Sequence, residues 1–173
     1  MKTALIQTAL YQSPIGRLEI SANESSIVSI LFAKKTEIEN LKHQKYFGII
    51  EICVAQLDEY FEGKRKVFML NCQPSGTDFQ LKVWKILSEI PYGKTITYKS
   101  QSILLGDVKA IRAMASCNGK NPLSIVIPCH RVLGSNGDLT GYAGGLQNKK
   151  WLIDHEQKFT SKAIIQQKIF EVN

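Results

Sequence analysis

The chain has 173 residues, which at about 150 residues per domain suits one domain or two small ones. With 44% hydrophobic and 21% charged residues it is neither disordered nor a low-complexity polymer, and no apolar run is long enough to span a bilayer. The net charge of +7 is uneven: residues 1–75 carry +1, while the stretch from Lys94 to Lys150 holds 8 basic and 2 acidic residues. Such a surplus reads either as a solvated basic face or as a surface for an anionic partner.

The start, Met1-Lys2-Thr3-Ala4-Leu5-Ile6, has one charge and a short apolar patch, a poor match to a signal peptide. Cys53, Cys72, Cys117 and Cys129 show no CxxC spacing, so free thiols in a cytoplasmic protein are expected. Three short strands are predicted over 4–11, 16–21 and 26–32. Ser13-Pro14-Ile15-Gly16 and Asn23-Glu24-Ser25 supply the turns between them. Ile50, Cys53, Val54, Leu57, Tyr60 and Phe61 share one face of a predicted helix over 50–61, which Gly63 can stop. Residues 67–71 could form a further strand. Gln73-Pro74-Ser75-Gly76 lacks periodicity and marks a boundary between residues 1–75 and 76–173.

The second half reads as helical. Thr77 and Gln80 fit a capping box. Phe79, Val83, Ile86, Leu87 and Ile90 then mark a buried face, closed by Pro91-Tyr92-Gly93. Helices over 98–105 and 108–117, joined by Gly106-Asp107, have the helix-turn-helix pattern, although many such pairs only pack on each other. An apolar strand is predicted over 125–127. A glycine-rich loop follows over 134–145, then a helix over 146–156. The tail 157–173 carries the apolar spacing of an amphipathic helix.

Cys129 follows a proline and precedes His130 and Arg131. A thiolate is the nucleophilic form of cysteine, and a proton acceptor or cation beside it raises the thiolate fraction. A base is helped in turn by an orienting carboxylate, for which Asp154 and Glu156 are the candidates. On residues alone, Cys129 is equally a buried small hydrophobe.

Ile125-Val126-Ile127-Pro128-Cys129-His130-Arg131-Val132 resembles the active-site signature of the O6-alkylguanine-DNA alkyltransferase family. The likeness runs in order from Phe79 to Glu156. It takes in Ile90-Pro91-Tyr92-Gly93-Lys94-Thr95, Arg112-Ala113-Met114, Asn121-Pro122, Gly141-Tyr142-Ala143-Gly144-Gly145 and Lys150-Trp151-Leu152. Ser13-Pro14-Ile15-Gly16 extends it more weakly to the first hairpin turn. The resemblance implies an α+β fold: a small ribonuclease H-like α/β domain supports a helical, winged-helix-like domain with a helix-turn-helix.

It further implies irreversible, single-turnover transfer of a methyl or other alkyl group from O6 of guanine in double-stranded DNA to Cys129. O4 of thymine is a second candidate target. His130 would take the thiol proton through a water and Glu156 would hold His130. Tyr98 would protonate the leaving base, and Asn121 would fix the turn. Arg112 would fill the gap left by a flipped nucleotide, with Tyr98, Ala113, Ser116 and Arg131 also placed among the DNA-binding residues. Arg131 would in addition pair locally to hold the geometry. Tyr142, Ala143, Gly144 and Ser124 would line the pocket, with the Ala143 N–H available to O6. Met114, Ala115 and Cys117 stand where the family usually has valine, glycine and a small apolar residue. His43, Cys53 and Cys72 do not match the zinc ligands that some members carry. A monomer without metal or dissociable cofactor is expected. A helix-turn-helix sensor or regulator of alkylation damage is the alternative, and Cys129 argues against a purely sensing role.

Overall fold

The computed structural model describes residues 6–33 and 48–170, with side chains through residue 160. Strands β1 (Gln7–Ser13), β2 (Gly16–Ala22) and β3 (Ile27–Phe32) form an antiparallel sheet in the order β1-β2-β3. The predicted start at Ala4 lies outside the described residues. Asn23 holds the second turn, because its Oδ1 accepts from the Ser25 and Ser26 backbone N–H groups at 3.0 and 2.8 Å. One face of the sheet buries Leu18, Ile20, Ile27 and Ile30 beside Ile50, Cys53, Leu57 and Tyr60 of helix α1 (Gly48–Phe61).

The strand predicted over 67–71 does not form. The Gln56 side chain takes the backbone there instead: it accepts from Met69 N at 2.8 Å and donates to Met69 O at 3.0 Å. An isolated bridge, Ile27 to Cys72, and the Asn71 amide, which donates to Ser25 O at 2.9 Å and Ser26 Oγ at 3.0 Å, tie this segment to the start of β3.

Helix α2 (Asp78–Ser88) starts at Thr77 with the expected capping box to Gln80. Val83, Ile86, Leu87 and Ile90 are buried as predicted. Phe79 is not: it remains 36% exposed, and Trp84 takes the inner position. The Trp84 indole donates to the Cys117 carbonyl at 2.9 Å, tying α2 to the helix that carries Cys117.

Helix α3 (Tyr98–Leu105) is capped by Thr97 and ends on Gly106 in the left-handed region, φ 82°. The single helix expected over 108–117 is split into a 3-10 turn, Val108–Ala110, and helix α4 (Ile111–Gly119). Asp107 causes the split, since its carboxylate accepts from the Lys109 and Ala110 N–H groups and tightens the first turn. Gln101 and Asn118, both buried, exchange amide hydrogen bonds at 3.0 and 2.7 Å and set the α3–α4 crossing. Beside them β4 (Ile96–Thr97) pairs in parallel with β5 (Val132–Leu133).

Helix α5 (Leu146–Phe170) continues well past the predicted end at 156. The two halves of the chain meet along β3. Ile30 N–H donates to Pro122 O at 2.8 Å, and Ser124 N–H donates to Ile30 O at 2.9 Å. The sheet edge is therefore stitched to the segment that leads into Cys129. The Asn148 amide also donates to Ile15 O at 2.7 Å, docking the first hairpin turn on α5.

Candidate active site

The segment before Cys129 is a tight turn rather than the strand predicted over 125–127. Its N–H groups are consumed locally: Val126 donates to Ser124 O, Ile127 to Leu123 O and Cys129 to Ile127 O, at 2.8–2.9 Å. Ile125 adopts φ 73°, where a β-branched residue is strained by about 1–3 kcal/mol. Asn121 holds this shape from inside. Its Oδ1 accepts from Leu123 N at 3.0 Å, and its amide nitrogen donates to Ile127 O at 2.7 Å. That nitrogen also lies 3.3 Å from the Cys129 sulfur.

Cys129, His130 and Arg131 form one 3-10 turn, and all three are buried. His130 Nε2 sits 2.9 Å from Glu156 Oε1 on α5. A carboxylate at Nε2 keeps the proton on that nitrogen, which leaves Nδ1 as the lone pair. Nδ1 is buried and has no hydrogen-bond partner among the described residues.

Glu156 is saturated with donors. Oε1 accepts from His130, from Arg131 Nη2 at 2.9 Å and from Tyr60 Oη at 2.8 Å. Oε2 accepts from Arg131 Nε at 2.8 Å and from the Gly93 N–H at 3.0 Å. Gly93 reaches it with φ 71°, and a Cβ there would stand 2.2 Å from Thr160 Oγ1. Asp154, the other carboxylate considered, faces solvent and pairs with Lys150 at 2.6 Å. A step of two along a helix turns a side chain to the opposite face, so only one of the two can point inward.

Burial pushes the Cys129 thiol upward, while the Asn121 amide, the Lys149 charge and backbone N–H groups pull it back. Burial pushes the His130 imidazole downward, against the hydrogen bond and charge of Glu156. Burial alone would also raise Glu156, but His130 and Arg131 hold its carboxyl far below the usual range. The resting site therefore stores a neutral thiol and a neutral imidazole beside a fixed anion. Such a set can deliver a thiolate as the sulfur attacks, with Nδ1 taking the proton.

Tyr142 closes one side. Its ring lies 6.4 Å from the His130 ring and 5.7 Å from Phe32, and its hydroxyl is buried without a hydrogen-bond partner among the described residues. Gly144 fits so tightly on Phe32 that a Cβ would stand 2.4 Å from the ring. Ala143 is exposed and Ser124 is buried. Tyr98 is half-buried at the start of α3, with Lys149 Nζ 5.9 Å from its ring centroid.

On α4, Arg112, Ala113, Ser116 and Lys120 are exposed while Met114, Cys117 and Asn118 point inward. The small residues Ala113 and Ser116 thus flank Arg112 on an open helix face. Arg131 does not belong to that surface. It was expected among the DNA-binding residues, yet its guanidinium is buried on Glu156 and on Ile90 O at 2.5 Å. The pairing role expected for it is the one this geometry supports.

Two family models cover this chain. The DNA-binding domain of 6-O-methylguanine DNA methyltransferase matches residues 78–158, and its ribonuclease-like domain matches residues 6–74. The chain belongs to the 6-O-methylguanine DNA methyltransferase family. Among members of this methyltransferase family, the methylated-DNA–protein-cysteine methyltransferase of Methanosarcina barkeri is 44% identical over 153 residues, covering 86% of this chain and 95% of the relative. The constitutive enzyme of Bacillus subtilis is 38% identical, covering 84% and 92%. In three dimensions the crystal structure of Mycobacterium tuberculosis O6-methylguanine methyltransferase superposes with a TM-score of 0.77 at 34% identity, covering 89% and 94%. The same organism's OGT in complex with DNA also gives 0.77, at 37% identity, covering 87% and 92%. This methyltransferase has the α+β fold of those structures.

Three residues around the site were not singled out from sequence. Lys149 is fully buried, and its Nζ donates to Thr140 O at 2.6 Å, clamping the glycine-rich loop. Its signal was phase: it shares a face of α5 with the buried Leu152 and Glu156. Tyr60 was assigned to the core, and its ring does sit there, but its hydroxyl serves Glu156. Gly93 was read as a helix terminator, whereas its N–H is a ligand of the carboxylate. Among the described residues no group of three or more His, Cys, Asp or Glu converges as a metal site, and His43 lies outside them. No helix among them is long and apolar enough to cross a membrane.

Proposed function

We infer that this methylated-DNA–protein-cysteine methyltransferase repairs DNA by direct reversal, moving the alkyl group from O6 of guanine to the sulfur of Cys129. The observation that carries the assignment of residues is the buried Cys129–His130–Glu156 set, with an unpartnered nitrogen on the sulfur-bearing turn. The sulfur attacks the alkyl carbon in line with O6. A C–S bond forms, the C–O6 bond breaks, and its electron pair stays on guanine. The thiol proton passes to His130 Nδ1 through a water, and the Tyr98 hydroxyl supplies the proton that the leaving base needs. His130 then returns a proton to Tyr98, so the net movement is one proton from sulfur to guanine. Glu156 stays anionic and stabilises the transient imidazolium. The thioether is stable, so each molecule acts once.

O6 is inaccessible inside a duplex, and the nucleotide must be extruded. Arg112 on the open face of α4 fills the gap, with Ala113 and Ser116 allowing close approach to the groove. Tyr142, Ala143, Gly144 and Ser124 line the pocket for the flipped base. The basic stretch Lys94–Lys150 holds phosphates without reading sequence. The protein works as a cytoplasmic monomer with residues 1–75 as a supporting domain and residues 76–173 as the DNA-binding and acceptor domain.

The test is mass spectrometry of the Cys129 peptide after incubation with a duplex carrying one O6-methylguanine. A gain of one methylene on that peptide, with loss of the lesion, is expected. An unmodified peptide with the lesion intact overturns the reading. Cys129→Ser should abolish transfer and keep DNA binding.

A further inference from the structure

We propose that Tyr60 is a positioning residue for alkyl transfer: from the N-terminal domain it holds the Glu156 carboxylate and limits how much of that anion His130 receives. The proposal rests on the alkyl-transfer reading above and concerns a residue outside the DNA-binding domain.

The geometry is specific. Tyr60 stands at the end of α1, with 0% exposure, and its Oη donates to Glu156 Oε1 at 2.8 Å. His130 Nε2 and Arg131 Nη2 approach the same oxygen, each at 2.9 Å. A carboxylate offers about four acceptor positions, and five donors converge on this one, so each bond is made at the expense of the others. Tyr60 is tied down twice. Its carbonyl oxygen lies 2.8 Å from Nε2 of His155, the residue before Glu156. Its ring contacts those of Phe61, Phe68, Tyr92 and His155, with centroids 5.4–6.0 Å apart. A ring packed so closely cannot swing its hydroxyl elsewhere, so the α1–α5 contact sets the angle of the carboxylate. Burial, reinforced by the Glu156 charge, keeps the Tyr60 phenol protonated and therefore a donor.

A hydrogen bond to the charged form of an acid favours that form and drains its capacity to attract another proton. While Tyr60 donates, Glu156 remains a fixed, weakly basic anion and its pull on the His130 imidazolium is moderated. The groups facing the pair are Tyr60 from α1, Tyr92 and the Gly93 N–H from the loop after α2, Arg131 from the 3-10 turn, Tyr142 from the glycine-rich loop and Lys149 from α5. Arg131 and Lys149 lower the imidazole, and Glu156 raises it. Without the tyrosine hydroxyl, Oε1 turns more fully to His130, and the imidazole should titrate at higher pH.

The experiment uses the full chain with Tyr60→Phe. Two quantities are followed against pH: the transfer rate from an O6-methylguanine duplex and the titration of the His130 ring by NMR of labelled imidazole. Transfer should slow about 3- to 10-fold, the scale of one ordinary lost hydrogen bond, because the other four donors still hold the carboxylate. The acid limb of the rate profile and the His130 titration should move together to higher pH. A folded variant with both unchanged overturns the proposal, because a packing role alone lowers thermal stability without moving a histidine titration. Substituting 3-fluorotyrosine at position 60 keeps the shape and strengthens the donor. It should move the His130 titration to lower pH, and no movement there also overturns the proposal, even if the phenylalanine variant fails to fold. Failure of the parent to methylate Cys129 would overturn the alkyl-transfer reading, and the histidine titration would still decide the role of Tyr60.

Discussion

The amide nitrogen of Asn121 stands 3.3 Å from the Cys129 sulfur while donating to the Ile127 carbonyl at 2.7 Å. One side chain thus shapes the turn that carries Cys129 and offers a donor to the sulfur itself. Its Oδ1 is occupied too, accepting from Leu123 N. The asparagine has no spare group, so it is sensitive to any change of charge or donor.

Asn121→Asp places an anion beside the sulfur and deletes the donor. The thiolate should become harder to form, and the turn loses bonds worth about 1–3 kcal/mol each when their buried partners are left unpaired. Modification of Cys129 by iodoacetamide, followed against pH, should shift to higher pH than in the parent. An unshifted profile would remove Asn121 from the list of groups acting on the sulfur.

Acid stability follows from two depressed groups. The folded state holds His130 below its ordinary value of 6.5 and Glu156 below its ordinary value of 4.5. In both cases the unfolded chain binds protons first as pH falls, so stability must fall with it. The loss should begin near pH 6.5 from the histidine and steepen below pH 4.5 as the unfolded glutamate protonates. Urea unfolding between pH 7 and 3 measures the slope. Glu156→Gln should be less stable at neutral pH and should lack the steeper portion below 4.5.

Lys149 is a buried cation whose hydrogen bonds go to loop carbonyls, and burial lowers it to about 8. Lys149→Met should release the 134–145 loop and slow transfer to Cys129 by about tenfold, since a misplaced substrate loop costs orientation. Faster amide exchange across that loop, with the sheet unchanged, is the expected signature. Between pH 8 and 10.5 the parent should gain stability as the lysine loses its charge, and the methionine variant should lack that rise.

Arg112 lies on the exposed face of α4. Arg112→Ala should reduce transfer from duplex DNA by about tenfold or more, because the cost of extruding the nucleotide, a few kcal/mol, is no longer offset. Reaction of Cys129 with iodoacetamide should not change. Duplex affinity in the parent should fall with salt, with a slope of about −0.9 per phosphate neutralised. Equal loss in both reactions would place Arg112 in the chemistry rather than at the groove.

Much of this protein is legible along the chain because its signals are local. The hairpin turns, the Thr77–Gln80 capping box, the Gly106 helix stop and the signature around Cys129 all lie within a few residues of what they specify. Periodicity also identified the inner face of α1 and most of that of α2. Apolar Ile125–Ile127 reads as a strand, however, because period and composition cannot reveal that Asn121 will consume its backbone partners. Residues 67–71 fail as a strand for a similar reason: Gln56, on another element, takes the backbone first. The sense of a side chain was also hidden. Arg131, expected both at the DNA and in a local pair, completes Glu156, and Lys149, one of the charges of the basic stretch, is buried and clamps a loop. Tyr60 reaches Glu156 across 96 positions, and no local pattern encodes a bond between two domains. Sequence by itself determined the family signature around Cys129 and the helix-turn-helix pattern, since these depend on neighbours in the chain. Only the tertiary structure decided which buried donors share the carboxylate, because that depends on how α1 and α5 pack.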